Sequence, residues 1–243
     1  MKVSVVFILV LFISANLSFS QANIGAGFAG NKGLGPLVKW ESKDHHLLSF
    51  FDKAKVFGIG TKDTKLKGSL FLFEGWDNNG IIQIADKRFV LNNINFNIEK
   101  DAFMSKMEGD SIIIFDSSYL DDIKINNKPF KYVYNVSEGK GKTYEVIHQL
   151  KNGTTILKGY YLKVILASPN PMLNRPLDEI KKRSQYYVLK EGNLSDLKLQ
   201  KKAILRLIDE SDIEKVKKFV NKSNLSFKDE KDLIRIFKYH DSL

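Results

Sequence analysis

The chain contains no cysteine among its 243 residues. Disulfide bridges, thiolate metal sites and cysteine nucleophiles are therefore excluded. A lipid anchor carried on a cysteine at a cleavage site is excluded as well, so we expect that the protein is not a lipoprotein. The fold must be stabilised by its core, and a chain of this length buries roughly 70% of its unfolded surface in one or two domains.

Long apolar runs are absent apart from one at the start. Lys2 precedes an apolar run over 3–13, and residues rich in Ser and Ala follow up to Ala22. This order predicts a signal peptide over 1–22, cleaved after Ser20 or Ala22; the alternative is a buried N-terminal strand. The run is shorter than the roughly 20 residues that span a membrane. We expect export to the periplasm, outer surface or exterior, with no transmembrane segment in the mature chain.

Acidic residues are outnumbered, with 28 Asp and Glu against 38 Lys and Arg and a formal charge of +10. Such a surface attracts anionic partners: lipid headgroups, acidic polysaccharide or nucleic acid. The basic residues are spread out, however, so the charge also fits a genome that uses Lys, Asn and Ile often. Export argues against nucleic acid. The partners that remain are an anionic lipid surface, a glycan or another envelope protein.

Several catalytic motifs are missing. The chain has no G-x-S-x-G, no P-loop and no H-E-x-x-H, which are signatures of serine hydrolases, nucleotide-binding loops and zinc proteases. Gly25, Gly27 and Gly30 match G-x-G-x-x-G, but that fingerprint needs a strand before it and a helix after it. The predicted signal peptide precedes these glycines, and helix-breaking Gly and Pro follow within 33–36. We therefore predict a loose N-terminal arm and no cofactor.

Histidine is scarce too, with four in the chain. His45 and His46 are adjacent, so on one helix or strand they point in different directions. His148 and His240 lie far away in sequence. Zinc sites on one element usually pair residues i and i+4, so we predict surface histidines and no metal site.

Turn residues are frequent between residues 68 and 166. The run Gly68–Ala85 predicts a hairpin, with strands Leu70–Phe73 and Ile81–Ala85 around a loop of Asn, Asp and Gly. Ile94–Ile98 alternates apolar and polar residues, which predicts one buried and one solvated face. Many short strand-like runs follow without a helical stripe between them. This pattern predicts an antiparallel sheet in a meander, sandwich or partly closed barrel.

The pattern changes after this region. Three prolines within 167–176 predict a linker. A hairpin and two short helices follow; Ser211–Glu214 matches a capping box, and Ser226–Asp229 resembles one. The last helix has an apolar stripe at Leu233, Ile236, Phe237 and His240. The predicted class is α+β, mainly antiparallel β followed by a short C-terminal helical segment.

The predicted organisation has five parts. They are a signal peptide over 1–22, an N-terminal arm and lead-in over 23–67, an antiparallel β domain over 68–166, a Pro-rich linker over 167–176, and a hairpin plus helical C-terminal segment over 177–243.

A strand leading to Trp76, turn-rich strands, the run Tyr186–Lys190 and the helical ending Asp232–Leu243 follow the predicted signal peptide. This layout resembles a group of small exported bacterial proteins with no known activity. The resemblance extends over most of the mature chain and is most specific from Tyr186 onward. It implies export and a β-then-α order, and it implies no activity or site residue.

Three aromatic residues in or beside the predicted strands are candidates for a binding surface: Trp76, Tyr132 and Tyr134. Our first hypothesis is therefore a non-enzymatic binding or interaction protein of the bacterial envelope or exterior. Strand-rich domains often bind partners along an edge or face. If all three aromatic residues are buried, they are core residues instead.

Three carboxylates near strand ends suggest a second hypothesis, a hydrolase acting on envelope polymers: Asp116, Asp121 and Asp122. Such an enzyme needs its carboxylates to converge in a cleft, whereas Asp is also common in ordinary turns. A third hypothesis is a lipid carrier, which requires an apolar cavity inside the sheet.

Overall fold

A computed structural model describes residues 37–39, 55–58, 66–84, 87–106, 111–136, 139–168, 172 and 177–243. The predicted signal peptide lies outside these residues, as do most of the predicted arm and most of the predicted linker. The described parts of the arm and lead-in are three short strands that join the sheets. These parts therefore belong to the fold.

The described strands are β1 Leu37–Lys39, β2 Lys55–Gly58, β3 Leu66–Lys67, β4 Gly80–Ile84, β5 Lys87–Leu91, β6 Ile94–Asn97, β7 Ala102–Lys106, β8 Ser111–Phe115, β9 Asp122–Ile125, β10 Lys128–Asn135, β11 Lys140–Gln149, β12 Thr155–Ile165, β13 Asp178–Lys190 and β14 Asn193–Leu197. Three helices follow: α1 Lys201–Leu205, α2 Ile213–Lys222 and α3 Glu230–Asp241. The predicted α+β class, with strands before helices, is confirmed.

The larger sheet has an antiparallel path in the order β5-β4-β9-β10-β11-β12-β13-β14. β1 adds to it in parallel beside β5, and β3 pairs in parallel with the start of β13. The smaller sheet has the order β2-β8-β7-β6 and is antiparallel. Most neighbours are consecutive in the chain, so short turns make most of the connections.

The smaller sheet packs on one half of the larger sheet. Phe96 and Phe103 of the smaller sheet meet Phe130 of the larger one, with ring centroids 6.0 and 5.6 Å from that of Phe130. All three rings are buried, and burying each one stabilises the fold by about 2 kcal/mol. Of the architectures that the sequence left open, this half of the protein is a sandwich.

The helices pack on the other half of the larger sheet. Their shared core is formed by Leu150, Ile156, Val188, Leu197, Ile204, Leu233 and Phe237. Helix α2 packs beside α3 through Val216, Val220 and Ile236. The apolar stripe predicted for the last helix is buried along its whole length, down to His240.

The helix starts differ from the predicted capping boxes. Helix α2 begins after Asp212, whose side chain makes no capping hydrogen bond, so the first predicted box is wrong. Asp229 caps α3 by accepting from the backbone N–H of Asp232 at 3.0 Å, and Asp232 Oδ2 accepts from the N–H of Ser226 at 2.9 Å. The N-cap therefore lies three residues later than predicted, and Asp232 bonds the backbone of Ser226 instead of that of the N-cap, so the reciprocal box does not form.

The hairpin predicted over Gly68–Ala85 is wrong in its first strand. Residues 68–79, which we call the covering segment, form bends and lie along β6 instead of pairing with β4. The N–H of Leu72 donates to Phe96 O and the N–H of Ile98 donates to Leu70 O, both at 2.9 Å. Sequence alternation does not show which neighbour a strand-like run pairs with.

The solvated face predicted for Ile94–Ile98 is also wrong, since all five residues are buried. The covering segment lies over the face that Asn95 occupies. The Asn95 Nδ2 group donates to Phe73 O at 3.0 Å and Gly75 O at 2.8 Å. Its Oδ1 accepts from the N–H of Phe73 at 3.1 Å and of Phe96 at 2.8 Å. A polar residue is buried here because it satisfies backbone groups of an irregular segment.

Strands β12 and β13 pair continuously from Thr155 with Leu189 to Ile165 with Glu179. The Pro-rich residues between them therefore connect two strands of one hairpin. The pairing of β11 with β12 stops at Glu145, so the outer part of this hairpin extends beyond β11. We call residues 159–165 and 178–185 the β12–β13 ribbon.

Among the described helices, none combines the length and apolar character needed to cross a membrane.

Candidate functional site

One end of the sandwich is formed by the turns at which β7 begins and β8 ends. Phe103 pairs with Phe115, so the residues just outside this pair, Asp101 and Asp116, lie on neighbouring turns. The Ser117 hydroxyl donates to the backbone O of Asp101 at 3.3 Å. Asp116 accepts from the backbone N–H two residues further on at 3.0 Å. The hydrogen bond from Ser117 to Asp101 therefore connects the two acidic turns.

Asp101 reaches from the smaller sheet to the larger one. Its carboxylate accepts from the N–H of Thr143, at 2.9 Å to Oδ2 and 3.2 Å to Oδ1, and from the Thr143 hydroxyl at 3.1 Å. The pairing of β11 with β12 stops at Glu145, and Asp101 accepts the N–H of Thr143 just beyond that point. Burial raises the pKa of the Asp101 carboxyl, although the hydrogen bonds from Thr143 oppose this shift.

Tyr132 and Tyr134 follow Phe130 along one face of β10. Phe130 is buried in the core, Tyr132 is half-buried and Tyr134 is 55% exposed. This face therefore runs from the core out to solvent at the end of the sandwich. The Tyr132 ring lies over Gly141 of β11, where an added Cβ would overlap the Tyr132 hydroxyl.

The two acidic turns lie beside this face. Burial raises the pKa of the Tyr132 phenol, and the negative charges of Asp116 and Asp101 raise it further. One aromatic candidate and one carboxylate candidate from the sequence therefore meet here. We call Asp101, Asp116, Tyr132 and Tyr134 the tyrosine rim.

Trp76, the third aromatic candidate, lies at the opposite end of the smaller sheet. Its ring packs edge to face on Phe71 with centroids 4.9 Å apart, and Lys106 Nζ lies 5.1 Å from its centroid. Lys106 ends β7 while Asp101 precedes that strand, and five residues of strand span about 16 Å. Trp76 is therefore separate from the tyrosine rim.

Asp122 faces the other side of the larger sheet. Its neighbour Ile123 points into the core, so Asp122 points outward, beside Arg88 and Lys124. Burial raises the pKa of the Asp122 carboxyl against the lowering effect of these two positive charges. Asp121 lies at the start of β9 and donates its N–H to a carbonyl of β4 at 3.0 Å. The three carboxylate candidates are thus not gathered in one cleft.

Neither Asp101 nor Thr143 has a sequence signal for its position in this site. The two residues are 42 positions apart, and the turn that contains Asp101 is an ordinary polar turn by sequence. The backbone φ of Asp101 is 49°, a left-handed conformation that Asp tolerates. This feature is visible only in the structure.

A second polar group lies between the sandwich core and the helices. Glu145 of β11 is 4% exposed, with Oε1 lying 2.6 Å from Lys128 Nζ and Oε2 accepting from the Tyr160 hydroxyl. A buried charge is tolerated when it is paired and hydrogen-bonded. Both oxygens of Glu145 meet this condition.

Glu230, the first residue of α3, extends the network. Its Oε2 accepts from Lys158 Nζ at 2.7 Å and from the Tyr186 hydroxyl at 2.6 Å. Burial opposes its ionisation, but the hydrogen bonds from Lys158 and Tyr186 hold the Glu230 pKa below its ordinary value. Lys158 Nζ also lies 5.6 and 5.5 Å from the ring centroids of Tyr160 and Tyr186. This network attaches helix α3 to the sheet, and we assign it a structural role.

The two phenols of this network predict a specific loss of stability in alkali. Burial first, and then the neighbouring glutamates, raise the pKa of both Tyr160 and Tyr186. Because each folded pKa lies above its unfolded value of about 10, their contribution is complete below pH 10 and is lost as the pH rises further. We expect urea unfolding to show a shallower alkaline loss of stability in Tyr160→Phe/Tyr186→Phe than in the wild type. Tyr161→Phe, which removes an exposed phenol, should retain the wild-type slope, and equal slopes for all three proteins would contradict the prediction.

The described histidines are not on the surface, which corrects the prediction for this part of the chain; His45 and His46 lie outside it. His148 is half-buried, with Nε2 lying 2.7 Å from Asp241 Oδ2, and His240 is 6% exposed. Asp209, Asp212 and His240 each offer a metal-ligand atom within 4.8 Å of the others.

Existing contacts use two of these three ligand groups. His240 Nε2 accepts from the N–H of Asp209 at 3.5 Å, and Asp212 Oδ1 binds Lys215 Nζ at 2.8 Å. His240 Nδ1, which has no hydrogen-bond partner among the residues that the structure describes, faces Asp241 Oδ1 at 3.9 Å. We therefore assign no metal to this cluster.

Compared with known proteins, the chain matches no family model, no curated protein and no solved structure. The resemblance to small exported bacterial proteins thus stays a prediction from the sequence.

Proposed function

We propose that this protein is an exported, non-enzymatic binding protein of the bacterial envelope or exterior, and that the tyrosine rim binds an envelope glycan. The observation that carries this proposal is the position of Tyr134, 55% exposed and two residues from Tyr132, whose phenol lies within reach of the charges of Asp116 and Asp101. Export itself rests on the signal-peptide pattern at the start of the sequence.

The chemistry of the rim suits a hydroxyl-rich partner. Tyrosine supplies a large, rigid contact surface that combines an apolar ring with a polar tip and loses little conformational entropy on binding. Ionised carboxylates accept hydrogen bonds and donate none. A glycan offers both apolar C–H faces for Tyr134 and hydroxyl donors for Asp116.

The two alternative functions have weaker support. A hydrolase would need two available carboxylates side by side. Asp116 Oδ1 accepts from the N–H and the hydroxyl of Ser118, both oxygens of Asp101 accept from Thr143, and Asp122 faces away. A lipid carrier would need an open apolar interior. In the described sandwich, that space is filled by buried Phe, Ile and Leu side chains, among them Phe96, Phe103 and Phe130.

The proposal predicts that Tyr134→Ala weakens retention on insoluble envelope polysaccharide by about tenfold, the effect of removing one binding hot spot. The assay uses the protein recovered from the medium or envelope of the producing cells, whose mass also shows whether residues 1–22 have been removed. Gly141→Ala should weaken retention as well, because its new methyl group displaces the Tyr132 ring.

Tyr161→Ala is the matched control, since Tyr161 is also an exposed strand tyrosine, at 45%, and lies outside the rim. If Tyr134→Ala is retained as well as the wild type, the tyrosine rim does not bind the glycan. The same conclusion follows if Tyr134→Ala and Tyr161→Ala lose retention equally. If the wild-type protein is retained on no envelope polysaccharide, the proposal that its partner is a glycan is wrong.

A further inference from the structure

The outer face of the β12–β13 ribbon carries basic residues. Tyr161 pairs with Arg183, and Lys163 pairs with Lys181, so all four side chains lie on one face of the ribbon. The opposite face is turned toward the core, where Leu162 packs. We call Tyr161, Lys163, Lys181 and Arg183 the basic face.

The inner face is also attached by a hydrogen bond. Lys182 Nζ, which lies on that side of the ribbon, donates to the backbone O of Leu72 in the covering segment at 3.1 Å. This contact fixes which face of the ribbon is directed outward. Lys163 and Arg183 are exposed on the outward face.

The positive charge of the basic face is only partly compensated. Lys163 and Lys181 stand directly opposite each other, and like charges in this position repel. Lys181 Nζ lies 3.4 Å from Glu179, with both side chains partly exposed, and such surface pairs contribute little. The other nearby carboxylate, Asp178, accepts from the N–H of Ala167 at 2.7 Å. An anionic partner would relieve the remaining repulsion.

Apolar side chains are exposed where this ribbon ends. Leu166 is 68% exposed and Leu177 is 43% exposed. A soluble polyanion gives no reason to expose them, whereas a bilayer does. Apolar side chains enter the boundary between headgroups and acyl chains, aromatic rings prefer the same depth, and Lys and Arg extend to the phosphates.

We propose that the β12–β13 ribbon docks the protein peripherally on anionic lipid bilayers, with the basic face at the headgroups and Leu166 and Leu177, at the end of the ribbon, at the acyl boundary. This surface is separate from the tyrosine rim and does not depend on the proposed glycan. A basic side chain near an anionic membrane strengthens binding by a factor of about five, so two contribute about twenty-five-fold.

The test is co-sedimentation with vesicles of phosphatidylcholine alone and of phosphatidylcholine mixed with phosphatidylglycerol. We expect binding to the anionic vesicles, weakened by added salt, and about twenty-five-fold weaker binding for Lys163→Gln/Arg183→Gln. Lys218→Gln/Lys231→Gln is the matched control, because it removes the same charge from exposed helix positions. Any binding through the apolar run at 3–13 is common to all these proteins and cancels in the comparison.

A third variant tests the apolar part, since Leu166→Ser should weaken vesicle binding without changing its salt dependence. Equal losses in the two charge variants would overturn the proposal, as would equal wild-type binding to neutral and anionic vesicles. Binding to a soluble acidic polysaccharide without binding to vesicles would assign the basic face to a different partner. Tyr134→Ala should bind vesicles like the wild type, so a failure of the glycan proposal stays distinguishable from a failure of this one.

Discussion

Asn95→Ala is expected to destabilise the fold by about 4 kcal/mol, because it removes four hydrogen bonds worth about 1 kcal/mol each. The Asn95 side chain is 1% exposed, and it holds the backbone of Phe73 and Gly75 in the covering segment. Those backbone groups have no regular strand partner to replace it. Without Asn95 the N–H and carbonyl of Phe73 lose their partner at a half-buried site, which costs desolvation, whereas the Gly75 carbonyl keeps the Nδ2 group of Asn78 at 2.8 Å.

This expectation is checked by urea unfolding and by the melting temperature, which should fall by about 10 °C for a domain of this size. Asn92→Ala is the control, since Asn92 lies three residues earlier and is exposed; its effect should stay within about 0.5 kcal/mol. If the two variants are equally stable, the covering segment does not depend on Asn95.

Phe237→Ala is expected to cost about 4 kcal/mol, the usual cost of truncating a buried phenylalanine. Phe237 is fully buried between α3 and the larger sheet, and its ring stacks on His148 with centroids 5.6 Å apart. The described residues belong to a single compact unit. The whole described fold should therefore lose stability together.

Two probes test this cooperativity. Circular dichroism follows the C-terminal helices. Tryptophan fluorescence, measured in a Trp40→Phe background because the chain has two tryptophans, follows Trp76 at the far end of the smaller sheet. In Phe237→Ala both signals should shift to the same lower urea concentration, as expected for a two-state transition. A shift of the helical signal alone would show that the helices unfold independently. Lys238→Ala, at an exposed position of the same helix, should leave both transitions in place.

The sequence predictions succeeded for properties local to one element and failed for properties that depend on a distant segment. The stripe of α3 was predictable because helical periodicity places Leu233, Ile236 and Phe237 on one face regardless of what covers them. The alternation of Ile94–Ile98 was misleading because it records polarity and not burial. Asn95 is buried because a distant segment supplies backbone partners for it.

The candidate site was predictable in part for a similar reason. Tyr132 and Tyr134 were identified as aromatic residues of a predicted strand, and because they are two positions apart the strand places them on one face. Asp101 was missed, since its role depends on the place where β11 separates from β12. That place follows from the register of two strands and from a turn in the other sheet.

By itself, the sequence determined the absence of disulfides, the order of strands before helices and the apolar face of the last helix. These properties depend on residue type and local period alone. Tertiary structure decided that the covering segment lies on β6, that Asp116 approaches Tyr132 while Asp122 faces away, and that Lys163 and Arg183 share an outward face. Each of these depends on strand pairing between residues distant in the chain, and many pairings are compatible with the same local pattern.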